Sequence, residues 1–183
     1  MFDFEALLPL SAHAAAFLRC WMELTVAGIL PRRYAADARI RGVERKALWL
    51  YARNELGRYE AVFLGGDVQR AWNAGADAAS LDALMGPGAA CVAARFDYCL
   101  REKRLIHSVS RTAAKPWLVA ERIYGPVTDA SGAPRYIFGA TDYERHHVLE
   151  CKGVPPLSST FYETYDPITR RYLGPMPTDH AEG

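Results

Sequence analysis

Few stretches of the sequence combine residue types that could carry chemistry. The segment GGDV (residues 65–68) shares its letters with a signature of nucleotide-cyclising enzymes. That signature works only with two acidic metal-binding positions inside a much larger domain, and both are missing here. We therefore expect a turn that ends a strand, where glycine adopts unusual backbone angles and Asp67 caps the following helix.

The metal-type donors of the sequence cluster at His146, His147 and Cys151. A structural zinc site usually takes four ligands in two spaced pairs, and the sequence holds no second pair. We expect a solvated loop at these residues and no bound metal.

Catalytic motifs are also missing. The sequence contains no G-x-S-x-G, H-E-x-x-H, P-loop or dinucleotide-binding pattern. Asp97 and Glu102 fall on one predicted helix, but a spacing of five residues does not place two carboxylates side by side. Because a nucleophile, a base and a metal site never occur together, we predict that the chain is not an enzyme.

The composition of the 183 residues is that of an ordinary globular protein, with 50% hydrophobic and 23% charged residues. A formal net charge of +1 argues against a chain-wide role on nucleic acid or on an anionic membrane. Basic residues do crowd residues 32–58. We interpret that stretch as a solvated face or a partner-docking surface rather than as a nucleic-acid site.

Cysteine usage and the first residues indicate a cytoplasmic protein. Four scattered cysteines form no C-x-x-C pair, and residues 1–10 are acidic where a secretory segment would be basic. No apolar run approaches the roughly 20 residues that a membrane span needs. We expect reduced thiols, a cytoplasmic location and no membrane contact.

An N-terminal helix is predicted over residues 12–29. Ser11 can cap it, and Phe17, Trp21 and Leu24 recur at helical spacing along one face. An apolar stripe of this width must pack on the domain or on a second copy of the chain. We expect the helix to mediate a homodimer.

A hairpin is predicted next, from residues 47–53 and 59–65 joined by the turn NELG. Within its second strand, strict alternation places Tyr59, Ala61 and Phe63 on one face.

Helices interrupt the predicted strands. Short helical segments are expected over residues 65–87, and a longer helix over residues 89–103. Three more strands are expected at residues 105–112, 117–127 and 135–141. This order predicts an α+β fold with an antiparallel sheet.

The C-terminal part has a different composition. Residues 145–183 hold five prolines, which exclude regular structure from much of the segment. The stretch TFYETYDPITRRYL (residues 160–173) predicts a small hairpin. We divide the chain into an N-terminal helix (residues 1–33), a central domain (residues 34–144) and a Pro/Tyr-rich extension (residues 145–183).

The element order resembles that of the PAS fold, and the chain is similar to the stand-alone PAS-like domains common in alphaproteobacteria. Three segments carry the resemblance: FLRCWMELTVAGILPRR (residues 17–33), YEAVFLGGDVQRAW (residues 59–72) and WLVAERIYGPVTDASGAPRYIFGATDYE (residues 117–144). The resemblance implies a curved five-stranded antiparallel sheet with a helical insert against its concave face and a flanking N-terminal helix. It also implies that residues 135–141 pair with the first strand.

The resemblance further implies a sensory or interaction domain that relays a signal by contact with a signalling protein. Haem-binding domains of this kind commonly use a histidine on the long helix, and residues 89–103 contain none. A flavin photoadduct needs a cysteine in the insert, and residues 65–87 contain none. We therefore expect no cofactor. The alternative is a small cone-shaped α+β enzyme of the cyclase or isomerase type, which works with one or two pocket residues.

A small ligand, if the domain takes one, is expected between the sheet and residues 89–103. The residues predicted to line that space are Tyr51, Phe63, Arg95, Cys99, Ser110, Trp117, Arg122 and Phe138. A buried arginine needs an anionic partner, so Arg95 or Arg122 in the pocket would select a carboxylate or a phosphate. In the alternative interpretation, aromatic side chains fill the space and both arginines reach solvent.

Overall fold

The apolar runs of the sequence pair into one antiparallel sheet with helices on both of its faces. The structure, a computed structural model, describes residues 11–25, 30–31, 43–72, 80–112, 115–143, 161–166 and 171–175, without the side chains of residues 110–119 and 161–175. The helices are α1 (Ala12–Leu24), α2 (Gly66–Trp72), α3 (Leu81–Met85) and α4 (Ala89–Glu102). The strands are β1 (Leu48–Arg53), β2 (Tyr59–Leu64), β3 (Leu105–Thr112), β4 (Lys115–Thr128), β5 (Pro134–Asp142), β6 (Phe161–Asp166) and β7 (Arg171–Pro175).

The sheet has the order β2-β1-β5-β4-β3-β6-β7. The predicted α+β class and the five antiparallel strands from β1 to β5 are confirmed, and β1 pairs with β5 through Leu50 opposite Phe138. The predicted tail hairpin also forms: β6 pairs with β7 on one side and with β3 on the other. The extension therefore adds two strands to the five that the element order predicts.

One β-bulge changes which side chains of β2 share a face. Leu50 of β1 pairs with Phe63, whereas the next residue, Tyr51, pairs with Ala61, so Val62 is the extra residue. A bulge inserts one residue into the alternation and so reverses the faces beyond it. Phe63 therefore lies on the opposite face from Tyr59 and Ala61, and the prediction of one shared face was wrong for Phe63.

Helix α1 begins as predicted and ends earlier. The Ser11 Oγ atom accepts a hydrogen bond from the Ala14 N–H group at 3.1 Å, which caps the first turn. The helix ends at Leu24, because Thr25 turns to an extended conformation and both its N–H and its hydroxyl donate to the Trp21 carbonyl oxygen. Residues 26–29, where the predicted helix continued, lie outside the described part of the chain.

The two faces of the sheet bury two separate apolar cores. Helix α1 covers one face, where Phe17 and Trp21 are fully buried against Phe138 and Leu105. Helices α2, α3 and α4 cover the other face, where Phe96 lies at the centre. The wide apolar stripe of α1 is thus buried within its own chain, the first of the two arrangements that the sequence allowed.

Helix α2 starts without the cap that the sequence predicts. Asp67 lies inside its first turn and pairs with Arg70, so the prediction that Asp67 caps the helix was wrong. The residue before the helix is Gly65, where a Cβ atom would clash with the carbonyl groups of Arg45 and Lys46. The backbone of a 3₁₀ turn, Arg45–Ala47, lies before β1 and occupies the space that a side chain would need.

Helix α4 matches the predicted long helix to within one residue. It ends at Glu102, and Lys103 adopts the left-handed conformation (φ 54°, ψ 46°) while its N–H group donates to the Cys99 carbonyl oxygen. Glycine is the usual residue in this conformation, and another residue costs about 1–2 kcal/mol there.

No helix in the described ranges is long and apolar enough to cross a membrane.

Candidate functional site

Aromatic side chains occupy the space between the sheet and α4 where a ligand is expected if the domain takes one, as in the alternative interpretation of the sequence. The Phe96 ring, on α4, is the centre of this aromatic cluster. Its centroid lies between 5.1 and 5.8 Å from those of Trp49, Tyr51, Tyr59 and Tyr124. Stacked and edge-on rings at these separations make favourable contacts, so the interior is held together by its own side chains.

Four predicted ligand residues do lie on the α4 side of the sheet. Tyr51 belongs to the aromatic cluster, and Arg95 and Cys99 are both buried on α4, which confirms that the two share a face. Arg122 is half-buried next to Tyr143, whose pKa is raised by burial while the Arg122 guanidinium partly opposes the rise. Arg95 stays buried, so the alternative in which both arginines reach solvent does not hold for it.

Two of the predicted ligand residues lie on the wrong face. Phe63 packs on the α1 side because of the bulge at Val62, and the Arg45 guanidinium lies 4.6 Å from its ring centroid. Phe138 also faces α1, with its ring centroid 5.6 Å from that of Phe17. Both predictions of a place beside α4 were wrong. Register decides the face, because paired residues project from the same side of a sheet.

Ser110 and Trp117 belong to β3 and β4, and their side chains lie outside the described part of the structure. Their predicted place in a pocket stays a prediction.

Cys99 is a core thiol. Its side chain is fully buried, and Sγ donates to the Arg104 carbonyl oxygen at 3.0 Å. Burial raises the pKa of the thiol well above its usual value. A thiol that stays protonated in this way is a poor nucleophile.

A polar chain leads from the aromatic cluster to the surface. The Tyr59 hydroxyl donates to Oδ1 of Asp97 at 2.8 Å, and the Arg53 Nε atom donates to the same oxygen at 2.9 Å. Burial, followed by the hydrogen bond to Asp97, raises the pKa of Tyr59. Tyr59 therefore remains a donor, and Asp97 joins a buried phenol to a half-exposed guanidinium.

This polar chain opens into a cleft at the C-terminal end of α4, which we name the basic cleft. Its volume is about 510 Å³, within the range of small-molecule sites. The lining residues are Arg53, Asp97, Leu100, Arg101, Lys103 and Pro134. Three cations and one carboxylate give this lining a formal charge of +2. Leu100 and Pro134 supply an apolar wall.

A hydrogen bond to its backbone and the space above Gly57 position Arg53 at the edge of the basic cleft. Its backbone carbonyl oxygen accepts from Nε of Arg135 at 3.1 Å, which brings a further cation near the cleft. Its guanidinium lies over Gly57, which has a positive φ of 75°, and a Cβ there would come within 3.2 Å of Nη2. The tight NELG turn thus leaves room for the arginine side chain.

A second polar group lies beneath α1 and was not predicted. Nε2 of His107 is 2.9 Å from Oε1 of Glu121, and both side chains are at most 1% exposed. The other carboxylate oxygen, Oε2, accepts from the Ser11 N–H group at 2.9 Å. A carboxylate at the N-terminus of a helix interacts favourably with the helix dipole, so this contact fastens α1 to β4.

The alternation of side chains along β3 and β4 is a signal that could have predicted this buried pair. His107 lies two residues from buried Leu105, and Glu121 lies two residues from buried Ile123, so each shares a face with a core residue. Nearby, Nδ1 of His13 lies 3.5 Å from Oδ2 of Asp142, which joins α1 to β5 as well.

No group of three or more histidine, cysteine or acidic side chains is placed to hold a metal within the ranges that the structure describes. His146, His147 and Cys151 lie outside those ranges, so the interpretation of that segment as a solvated loop stays a prediction.

Comparison with known proteins found no matching family, no similar curated protein and no similar solved structure.

Proposed function

We propose that the chain is a non-catalytic, PAS-like sensory or interaction domain that acts in the cytoplasm and relays its signal by contact with another protein. The observation that carries the proposal is the strand order β2-β1-β5-β4-β3 with α2, α3 and α4 packed on one face. This is the arrangement that the resemblance to PAS domains implies. One fold hosts many activities, so the function depends on the side chains that the fold carries.

The aromatic cluster supports a role in protein contact. Five rings fill the space beneath α4, so a signal enters or leaves at the surface of the domain. The polar chain from Tyr59 through Asp97 to Arg53 gives that surface a direct connection to the interior.

The alternative, a small α+β enzyme, finds less support. Among the described residues, the grouping most like an acid–base pair is His107 with Glu121. Both side chains are buried beneath α1, where a dissolved substrate has no contact with them. A general base must come within hydrogen-bond reach of the proton that it removes.

The domain also forms a homodimer through α1 in this proposal. The inner face of the helix is used by its own sheet, so the dimer uses the outer face, where Arg19 and Glu23 are exposed one turn apart. Across a two-fold axis, Arg19 of one copy meets Glu23 of the other.

Light scattering of the full chain tests the dimer. The wild type is expected at twice the chain mass, Arg19→Glu as a monomer, and the doubly exchanged Arg19→Glu/Glu23→Arg as a dimer again. Arg70→Glu, at an exposed position on α2, serves as the control and should not change the mass. A monomeric wild type contradicts the dimer.

Affinity capture at native expression level tests the relay. The wild-type chain is expected to recover one signalling protein in stoichiometric amount, measured by quantitative mass spectrometry. Recovery of no stoichiometric partner by the wild type contradicts the proposed function.

A further inference from the structure

We propose that the basic cleft binds a small organic oxyanion, a molecule with a carboxylate or phosphate group on a compact apolar body. This inference rests on the proposed sensory function and names the chemical class of its signal. The anionic group lies against Lys103, Arg101 and Arg53, and the apolar body lies against Leu100 and Pro134.

Three cations, Arg53, Arg101 and Lys103, line the basic cleft. Lys103 makes no ion pair within the described part of the chain, while Arg53 and Arg101 each use Nε for a carboxylate neighbour. A guanidinium bound through Nε still has its two terminal nitrogens for a second anion. All three cations therefore have donors to offer a ligand.

Stabilisation of the C-terminus of α4 explains only part of the positive charge in the basic cleft. The C-terminus of a helix carries about half a negative charge, which one nearby cation offsets. The lining of the basic cleft carries a formal charge of +2, and the flanking charges of Arg135 and Glu102 offset each other. An excess of positive charge in a concave, partly apolar site is what an organic anion needs.

Lys103 lies at a position where the backbone conformation favours glycine over lysine. Its left-handed conformation is the one that glycine adopts at helix ends. Lysine nevertheless occupies this position, and its side chain lines the cleft. Lys103→Gly therefore distinguishes a structural role of the lysine from a role in ligand binding. The substitution removes the conformational strain at residue 103 and also removes a contact to the ligand.

Amide chemical shifts of the full chain, recorded by NMR at low ionic strength, test the proposal. The probes are phenyl phosphate and benzoate, which distinguish the two anionic groups, together with inorganic phosphate and uncharged phenol. At least one of the two organic anions is expected to shift the amides of Arg53, Leu100 and Lys103 saturably. Phenol should leave them unchanged, and inorganic phosphate, which lacks an apolar body, should bind at least threefold more weakly.

Binding of the organic anion is also measured for three variants of the chain. Lys103→Gly is expected to weaken the organic anion at least fivefold and to raise the melting temperature by a few degrees. Arg101→Ala should also weaken it, whereas Arg70→Ala, an equal loss of charge on α2, should bind like the wild type. Equal affinity of Lys103→Gly and the wild type, or shifts confined to other parts of the chain, would overturn the proposal. The amide shifts measure binding at the basic cleft directly. Failure of the anion to bind can therefore be distinguished from the absence of a protein partner.

Discussion

The indole of Trp49 lies flat against Gly139 in the neighbouring strand. The two residues are register partners in β1 and β5, and a Cβ atom on Gly139 would come within 2.7 Å of Cε2 of the indole. On the same ring, Nε1 donates to Oγ1 of Thr141 at 2.9 Å. Trp49 is thus fixed from two sides, with no space left for a methyl group.

Gly139→Ala should therefore destabilise the domain by about 1–3 kcal/mol, because the ring must leave its position in the aromatic cluster. Urea unfolding followed by tryptophan fluorescence measures the change. Gly66→Ala is the matched control: a Cβ there meets nothing within 4 Å, and alanine favours a helix, so its stability should be equal or slightly higher. Equal stability of Gly139→Ala and the wild type would show that the ring is not confined.

The buried Glu121 carboxylate should be among the most costly side chains to remove. Glu121→Ala leaves both the Ser11 N–H group and the His107 ring nitrogen without this partner, and each buried polar group left without a hydrogen bond costs about 1–3 kcal/mol. Chemical unfolding measures the loss. His13→Ala is the control, since its contact to Asp142 is longer and partly exposed, and it should cost less than about 1 kcal/mol.

Glu121→Gln distinguishes charge from hydrogen bonding at the same position. The amide keeps an acceptor for the Ser11 N–H group, so it should cost clearly less than alanine. A glutamine variant as unstable as the alanine variant would show that the negative charge itself holds α1.

Buried tyrosines should make the domain labile to alkali. Burial, with a smaller effect of Tyr143, raises the pKa of Tyr51 above its ordinary value of 10.0. Above pH 10 the unfolded chain releases a proton that the folded chain keeps, so stability is complete below pH 10 and falls as the pH rises. The slope for one such tyrosine is about 1.4 kcal/mol per pH unit.

Tyr51→Phe removes this contribution and should flatten the pH dependence of unfolding between pH 10 and 11.5. At pH 8 Tyr51 is protonated in both the folded and the unfolded chain. The free energies of unfolding of the wild type and of Tyr51→Phe at that pH therefore give the reference. The same slope in both proteins would mean that the Tyr51 hydroxyl is not desolvated.

The tail hairpin should protect an edge of the sheet. β6 pairs along β3 from Leu105 to Val109, so removing residues 145–183 exposes the backbone groups of that strand. Unpaired edges promote association between chains. The truncated protein is expected to aggregate at concentrations where the full chain does not, as measured by light scattering over time. A truncated protein that stays dispersed would mean that β6 gives no protection.

Local patterns in the sequence predict much of the fold. The bounds of α4 follow from its apolar periodicity, and the pairing of β5 with β1 is what the resemblance to PAS domains implies. The bulge at Val62 does not follow, because it depends on which residues of β1 and β2 meet across the hairpin. The early end of α1 depends on Thr25, whose hydroxyl bonds back to Trp21.

The basic cleft could not be predicted from the sequence, for a different reason. Arg53, Asp97, Lys103 and Pro134 come from three separate parts of the chain, and no local spacing connects them. The predicted residues Arg95 and Arg122 share the chemistry but not the place. Periodicity predicts which face of an element is buried, whereas a surface cleft is formed where the ends of several elements meet.

The packing of α1 on β4 and β5 has a consequence for synthesis on the ribosome. Asp142, the end of β5, follows Leu24 by 118 residues. At the usual rate of translation, Phe17 and Trp21 wait on the order of ten seconds before the strands that cover them exist. During that interval the nascent chain presents a tryptophan-bearing apolar helix, the kind of segment that chaperones bind and that aggregates when they are scarce. Expression yield at raised temperature should therefore depend on α1 more than on any helix made after it.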